Sequence, residues 1–114
     1  MKQFLFFLLV CSATIANAQH KLEKLWETDS LLKVPESVLY DAKEKVLYVT
    51  NIDGQPWEND GKGSVGKVGL DGKIIEAEWV TGLTCPKGMG LYKGKLYVAD
   101  LNNVGMELLY MDKA

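Results

Sequence analysis

Short apolar runs separated by polar turns make up most of the chain. Residues 46–52 are rich in β-branched and aromatic side chains, a composition typical of a β-strand. Residues 37–40 and 64–70 predict further strands on either side of that run. Asp71-Gly72 joins residues 64–70 to another strand-like segment, residues 73–80, and favours a two-residue hairpin turn. The pattern therefore predicts an all-β fold with almost no helix.

Two further segments depart from this pattern. Leu22, Leu25 and Trp26 have partly helical spacing, but we interpret the lead-in segment, residues 19–34, as containing a strand around residues 24–27. Residues 53–63 contain Asp-Gly twice with a proline between, and predict a loop. We expect Trp26 and Trp79 to lie in the core.

The acidic and amide side chains of that loop also suggest a calcium site. Asp53, Asn59 and Asp60 supply oxygen atoms, but their spacing does not follow the helix-flanked calcium loop, and turn chemistry accounts for them. Trp57 in the same loop is expected to pack on a neighbouring sheet, with contact to a ligand as the alternative.

The chain contains an internal repeat. Residues 35–40, which begin with Pro-Glu, recur as residues 86–92, which begin with Pro-Lys. Residues 46–51 recur as residues 95–100, and Leu-Asp at positions 70–71 recurs as Met-Asp at positions 111–112. Without the loop at residues 53–63, the repeating unit is about 40 residues and four strands long, which is typical of a propeller blade.

The repeat predicts a lead-in segment at residues 19–34, a first blade at residues 35–80 and an incomplete second blade at residues 81–114. We expect a partial β-propeller of about 1.75 four-stranded antiparallel blades from a larger ring. Propellers close with about four to eight blades stacked face to face. Missing blades, or self-assembly of several copies, are therefore needed to complete the fold.

The first 18 residues have the features of a signal peptide. Lys2 precedes an apolar run at residues 4–10, and Ala16-Asn17-Ala18 gives the small residues that a signal peptidase recognises. Alternatives are a membrane anchor, for which the run is short, and a lipoprotein anchor at Cys11. We expect cleavage near Ala18 and a secreted or periplasmic protein with no membrane segment afterwards.

Composition argues against several classes of partner and site. The net charge is −2 and all 13 basic residues are scattered lysines, which argues against a nucleic-acid partner. After signal removal Cys85 is the remaining cysteine, so we expect a buried apolar thiol without a disulfide. Cysteine–histidine zinc sites are excluded by count, and Ser37 has no histidine partner within the blades for a serine triad.

The motifs of the two repeats resemble a known family. Pro35-Glu36-Ser37 with residues 46–52 is similar to the opening blade of the gluconolactonase/regucalcin (senescence marker protein) and luciferin-regenerating family. Residues 86–89 and 94–100 look like the related NHL-type propeller repeat. The resemblance implies a six-bladed propeller with a divalent cation near its central channel, which hydrolyses sugar lactones or related esters.

The resemblance also implies a candidate site. Glu36 occupies the position of a metal-ligating glutamate in the family, and calcium, zinc or magnesium is the implied cofactor. Val38 and Tyr40 depart from the family motif, as does Asn51, which stands where aspartate is common. The other metal ligands of the family come from later blades.

The positions of Glu36 and Lys87 in the repeat also indicate a site at the start of the inner strands. Glu36 and Lys87 begin the inner strands of successive blades, and inner strands line the channel of a propeller. A salt bridge between these two side chains is the alternative to a metal-binding role for Glu36. We assign Lys87, Asn51 and Asp100 to the ligand channel.

Two function classes follow. One is a metal-dependent hydrolase whose ligand is a small lactone or a sugar derivative. The other is a non-enzymatic NHL-type propeller that binds a protein or a carbohydrate. In either case we expect no activity from these residues without the remaining blades.

Overall fold

A computed structural model describes residues 20–102 and 105–112. The prediction of a signal peptide at residues 1–18 lies outside this range. The described residues contain seven strands and no helix, and so no helix that could span a membrane. The strands are β1 (Pro35–Asp41), β2 (Val46–Asn51), β3 (Gly63–Gly69), β4 (Ile74–Leu83), β5 (Pro86–Tyr92), β6 (Lys95–Asn102) and β7 (Gly105–Asp112).

The strands form two separate antiparallel sheets, which confirms the all-β prediction. The first sheet has the order β1-β2-β3-β4 and the second the order β5-β6-β7, so every strand pairs with its neighbour in the chain. This order matches the internal repeat, because β1, β2 and β3 correspond to β5, β6 and β7. Neither sheet closes on itself into a barrel.

The two copies share an irregularity at the start of their first strand. In the first sheet Pro35 pairs with Asn51, and a register shift follows before Ser37. In the second sheet Pro86 pairs with Asp100, and a register shift follows before Met89. Proline lacks the N–H that a regular ladder requires, so a bulge beside it is the expected accommodation.

Three local predictions were wrong. Residues 24–27 form no strand, because the chain there runs across the first sheet without pairing to an edge. β4 continues to Leu83, so the connection between the sheets is only Thr84 and Cys85. Trp26 is 39% exposed and covers the turn between β3 and β4 instead of joining the core.

The turn at Asp71-Gly72 is longer than predicted. The Gly69 N–H donates to the Lys73 carbonyl at 2.8 Å, and the Gly72 N–H donates to the Gly69 carbonyl at 3.0 Å. Gly72 has φ of +82°, and a Cβ there would lie 2.7 Å from the Trp26 ring. These features describe a three-residue loop that ends in a left-handed glycine, and not a two-residue turn.

The core lies between the two sheets. Its buried members come from both sheets and are Tyr48, Val65, Leu83, Leu96 and Val98. Strand alternation places Val46, Tyr48 and Thr50 on the side of the first sheet that faces the second. This face-to-face arrangement, called here the inter-sheet core, buries apolar area and so supplies the driving force that holds the sheets together.

The outer faces of the two sheets differ. Leu32 in the lead-in segment packs over Gly66 of β3, and Trp26 packs over Gly72, so the lead-in segment covers part of the first sheet. Val49 and Val68 on that side are buried. On the outer side of the second sheet, Leu108 is 68% exposed and Tyr110 is 60% exposed.

Candidate functional site

The starts of the two inner strands lie side by side. The fully buried hydroxyl of Thr50 accepts a hydrogen bond from the Ser37 N–H at 3.1 Å and donates to the Lys87 carbonyl at 3.0 Å. Thr50 therefore joins β1, β2 and β5 in one hydrogen-bonded chain. Gly63 of β3 also lies close to the start of β5, since a Cβ at Gly63 would lie 2.6 Å from the Pro86 ring.

Glu36 lies exposed at this end of the first sheet. It belongs to the bulge between Pro35 and Ser37, where β1 departs from the regular register. An open pocket of about 160 Å³ lies beside it, lined by Pro35, Glu36, Ser37, Val38 and Val49. The carboxylate of Glu36 is thus the one charged group of a mainly apolar pocket.

Lys87 begins β5 and is half-buried. Its backbone carbonyl is held by Thr50, but no ion pair within the described residues joins its ammonium group to Glu36. The salt-bridge alternative is therefore not formed in this structure. Glu36 and Lys87 share one end of the sheets while both head groups stay available for other partners.

Asn51 and Asp100 occupy equivalent positions, and each is only 1% exposed. The Asn51 amide donates to the Ser64 hydroxyl at 3.3 Å and to the Ala77 carbonyl at 3.4 Å. Its carbonyl oxygen is buried without a hydrogen-bond partner among the described residues. The role of both residues in a ligand channel stays a prediction, since their side chains here contact the protein interior.

Asp100 fixes the connection between the two sheets. Its carboxylate accepts the Cys85 N–H at 2.7 Å and the Thr84 N–H at 2.8 Å. Hydrogen bonds to an ionised acceptor are stronger than neutral ones, and both are short here. Asp100 therefore satisfies both backbone donors of the two-residue connection.

The loop between β2 and β3 holds the same connection from the other side. The Cys85 thiol, which is fully buried, donates to the Pro56 carbonyl at 3.0 Å. The Thr84 hydroxyl donates to the Asn59 side chain at 3.1 Å. The prediction of a buried Cys85 is confirmed, while Trp57 in this loop is 72% exposed and packs on neither sheet.

Turn chemistry accounts for Asp60 of this loop, whereas Asp53 pairs with a lysine of the lead-in segment. The Asp60 carboxylate accepts the Lys62 N–H at 3.0 Å, and that hydrogen bond lowers the pKa of Asp60. Asp53 accepts a hydrogen bond from Lys33 at 3.2 Å, which raises the pKa of Lys33, as does the nearby charge of Glu78. The Asp60 carboxylate thus stabilises its own turn, and the Asp53 carboxylate holds the lead-in segment.

Residues 20–102 and 105–112 contain no group of three or more His, Cys, Asp or Glu side chains that could hold a metal ion. Glu36 therefore belongs to no such group in this part of the chain. Calcium takes about six to eight oxygen ligands and zinc about four ligands in all. A cation would need further ligands from outside these residues.

Comparison with known protein families, curated proteins and solved structures found no match for the chain.

Sequence reasoning missed the residues that hold the two sheets together. Thr50 and Asp100 were polar residues at the end of apolar strands, and Asp41 is a third buried polar side chain, accepting the Lys43 and Glu44 N–H groups. For Asp100 the available signal was a polar residue, Asn51, at the same position of the first repeat, whereas the counterpart of Thr50 is Ala99 and gave no such signal. A polar residue there indicates a buried hydrogen-bonding role as readily as a ligand site.

Proposed function

We propose that the two sheets are the first blades of an exported six-bladed β-propeller, and that the complete ring hydrolyses sugar lactones with a bound divalent cation. This is the function that the resemblance to the gluconolactonase/regucalcin family implies. The secreted or periplasmic location, the calcium, zinc or magnesium cofactor and the lactone substrate belong to the same proposal.

One observation supports it above the others. The two repeats form separate sheets that stack face to face, and Thr50 holds the starts of β1 and β5 next to each other. Repetition of this step around an axis would gather the inner strand starts at one end of a central channel. Ligands of propellers bind at such a channel, and Glu36 lies exposed at that end.

The described residues do not make a complete metal site. Glu36 gives one carboxylate, and among the described residues it belongs to no group of three or more acidic, histidine or cysteine side chains. We therefore assign to this chain one ligand position and no catalytic step. When bound, the cation would supply Lewis acidity or an activated water.

The test is calcium binding by the chain completed with the remaining blades of its ring, measured by isothermal titration calorimetry. We expect binding that Glu36→Gln weakens at least about tenfold, because the variant removes the charge that a hard cation requires. Glu44→Gln is the matched control, since Glu44 is an exposed glutamate in the turn after β1. Equal heats from the wild type and Glu36→Gln would contradict the proposal.

The apolar lining of the pocket favours a second candidate, a non-enzymatic NHL-type propeller that binds a protein or carbohydrate. Pro35, at the start of β1, provides a surface suited to a sugar ring or an apolar side chain, whereas Val38 and Val49 lie on the face that a neighbouring sheet would cover. The two candidates differ in their response to a chelator. Gluconolactone binding that persists in EDTA supports the binding module, and binding lost in EDTA supports the hydrolase.

A further inference from the structure

The second sheet presents an apolar face with no partner among the described residues. Leu96 and Val98 of β6 point into the inter-sheet core, so the alternate residues of that strand point the other way. Tyr97 pairs with Tyr110, and Ala99 pairs with Leu108. The face formed by Tyr97, Ala99, Leu108 and Tyr110 is called here the open face.

The internal repeat identifies what this face is built to contact. Tyr97 and Ala99 of β6 correspond to Tyr48 and Thr50 of β2. Tyr48 is 1% exposed and belongs to the core that both sheets build, beside Trp79 of β4. The open face is therefore the second copy of a surface that, in its first copy, is part of a core shared with another sheet of the same kind.

The complementary surface is present on the same molecule. In the inter-sheet core the second sheet contributes Met89, which pairs with Val98 of β6. The equivalent pair in the first sheet is Val38 with Val49, on the outer side of that sheet. Val38 is 65% exposed and Tyr40 is 50% exposed. These two residues are called here the β1 patch.

The lead-in segment leaves this patch open. Leu32 and Trp26 cover Gly66 of β3 and Gly72 of the following turn, which lie away from β1. Between the two sheets, β5 contacts β1 more than β2 or β3, so an equivalent contact between copies needs the β1 side of the incoming sheet. Among the described residues, no segment covers that side.

We propose that this chain associates head to tail with a second copy, whose β1 patch docks on the open face of the first. The contact repeats the inter-sheet core, with Val38 and Tyr40 of one copy in the place that Met89 and Leu91 hold within the chain. Such a contact uses two different surfaces, so it is heterologous and leads to rings or open chains of molecules. The inference rests on the sheet stacking of the proposed function: a second copy here takes the place that a further blade takes in the complete ring, and neither the metal nor the activity is required.

The test is the mass of the purified chain in solution, measured by light scattering after size exclusion. We expect masses of two or more chains for the wild type. Tyr110→Lys breaks the open face and Val38→Lys breaks the β1 patch, because each places a charge in an apolar contact. Each variant alone is therefore expected to have the mass of one chain. Ile75→Lys is the control, because Ile75 is an exposed apolar residue of β4, 60% exposed, outside both surfaces.

A mixture of the two variants makes the test specific for head-to-tail contact. Tyr110→Lys retains the β1 patch and Val38→Lys retains the open face, so the equimolar mixture forms one intact contact and stops at two chains. Circular dichroism of each variant checks that the sheets are intact, and Leu108→Lys repeats the open-face test at a second position. A monomeric wild type, an associated Tyr110→Lys variant or a mixture that stays monomeric would each overturn the proposal. None of these results depends on calcium binding at Glu36.

Discussion

The first and second sheets have an equivalent surface, which is covered in the first sheet and open in the second. Tyr48 of the first sheet is 1% exposed, packs 5.3 Å from the Trp79 ring and contributes to the inter-sheet core. Tyr97 is its counterpart and lies on the open face, 6.0 Å from the Tyr110 ring. Both strands have the Leu-Tyr-Val sequence, so local sequence does not decide burial here. Packing partners decide it: Tyr48 has Trp79 of β4 and the second sheet in its core, whereas Tyr97 has neither a fourth strand nor a further sheet among the described residues.

Both sheets place a lysine over aromatic rings, but only in the first sheet do those rings border the inter-sheet core. Lys67 lies over the Trp79 ring at 3.8 Å and over the Tyr48 ring at 5.9 Å, at the edge of the inter-sheet core. On the open face Lys95 lies over the Tyr110 ring at 4.1 Å. A lysine over an aromatic ring keeps its ammonium group in water while its stem covers apolar surface. The open face thus has the aromatic-lysine arrangement of the covered face without the covering sheet.

The largest effect is expected from removing the two equivalent tyrosines, each in the Val38→Lys background to keep the chain monomeric. Tyr48→Ala is expected to lower the free energy of unfolding by about 3–5 kcal/mol, because it empties a packed core position. Tyr97→Ala is expected to lower it by less than about 1 kcal/mol, because Tyr97 lacks a covering sheet. Urea unfolding followed by circular dichroism measures both. Similar losses for the two variants would show that burial of Tyr48 by the second sheet adds no stability.

The two sheets also differ in how the chain leads into their first strand. The Ile52 N–H donates to the Val34 carbonyl at 3.0 Å, and the Leu101 N–H donates to the Cys85 carbonyl at 3.2 Å, so Val34 and Cys85 hold equivalent positions. In the second sheet Asp100 also accepts the Cys85 N–H. In the first, the Asn51 amide donates to Ser64 and Ala77 instead, and Val34 takes φ of +52°.

Asp100→Ala is expected to have the next largest effect. It leaves the N–H groups of Thr84 and Cys85 without their charged acceptor, which costs about 3 kcal/mol. Asn51→Ala is the matched variant and is expected to cost about 1 kcal/mol, since it removes two long hydrogen bonds together with the unpartnered carbonyl oxygen. Urea unfolding gives both values.

The thiol of Cys85 reports on the same connection directly. Cys85 is fully buried, so a thiol reagent reacts with it only when the connection between the sheets opens. We expect Asp100→Ala to speed labelling at least about tenfold under native conditions, while Asn51→Ala leaves the rate near that of the wild type. Equal labelling rates would contradict a specific role for Asp100 in holding this connection.

The sequence predicted the strands well because the repeat supplied each element twice. Residues 46–51 and 95–100 combine β-branched and aromatic side chains, and both form strands in matching sheets. The roles of Asn51 and Asp100 were harder to predict, because a polar residue at a strand end suits either a ligand or a buried backbone donor. Only the position of Thr84 and Cys85 relative to Asp100 distinguishes the two, and that position depends on packing between sheets.

The strand predicted at residues 24–27 failed for a different reason. Leu22 and Leu25 are apolar, but the structure leaves them 95% and 83% exposed. Other side chains of the lead-in segment make the contacts: Leu32 packs on β3, and Trp26 packs on the turn between β3 and β4. Local composition reports which side chains are apolar, and it does not report whether a sheet edge is free to pair with them.

The smallest effect concerns the strained backbone just before β1. Val34→Gly is expected to raise the free energy of unfolding by less than about 1 kcal/mol, because relief of the positive φ outweighs the entropy that glycine loses on folding. Val34 is 52% exposed, so little packing is lost with its side chain. Val34→Ala is the control, since alanine keeps the strain, and its effect should stay within about 0.5 kcal/mol.

Cys85→Gly at the equivalent position before β5 should destabilise the protein, because Cys85 is buried and its φ is not positive. The same urea unfolding experiment measures all three variants. Destabilisation by Val34→Gly would mean that the unusual backbone of Val34 carries no strain. The segments that lead into β1 and β5 would then differ in hydrogen bonding alone.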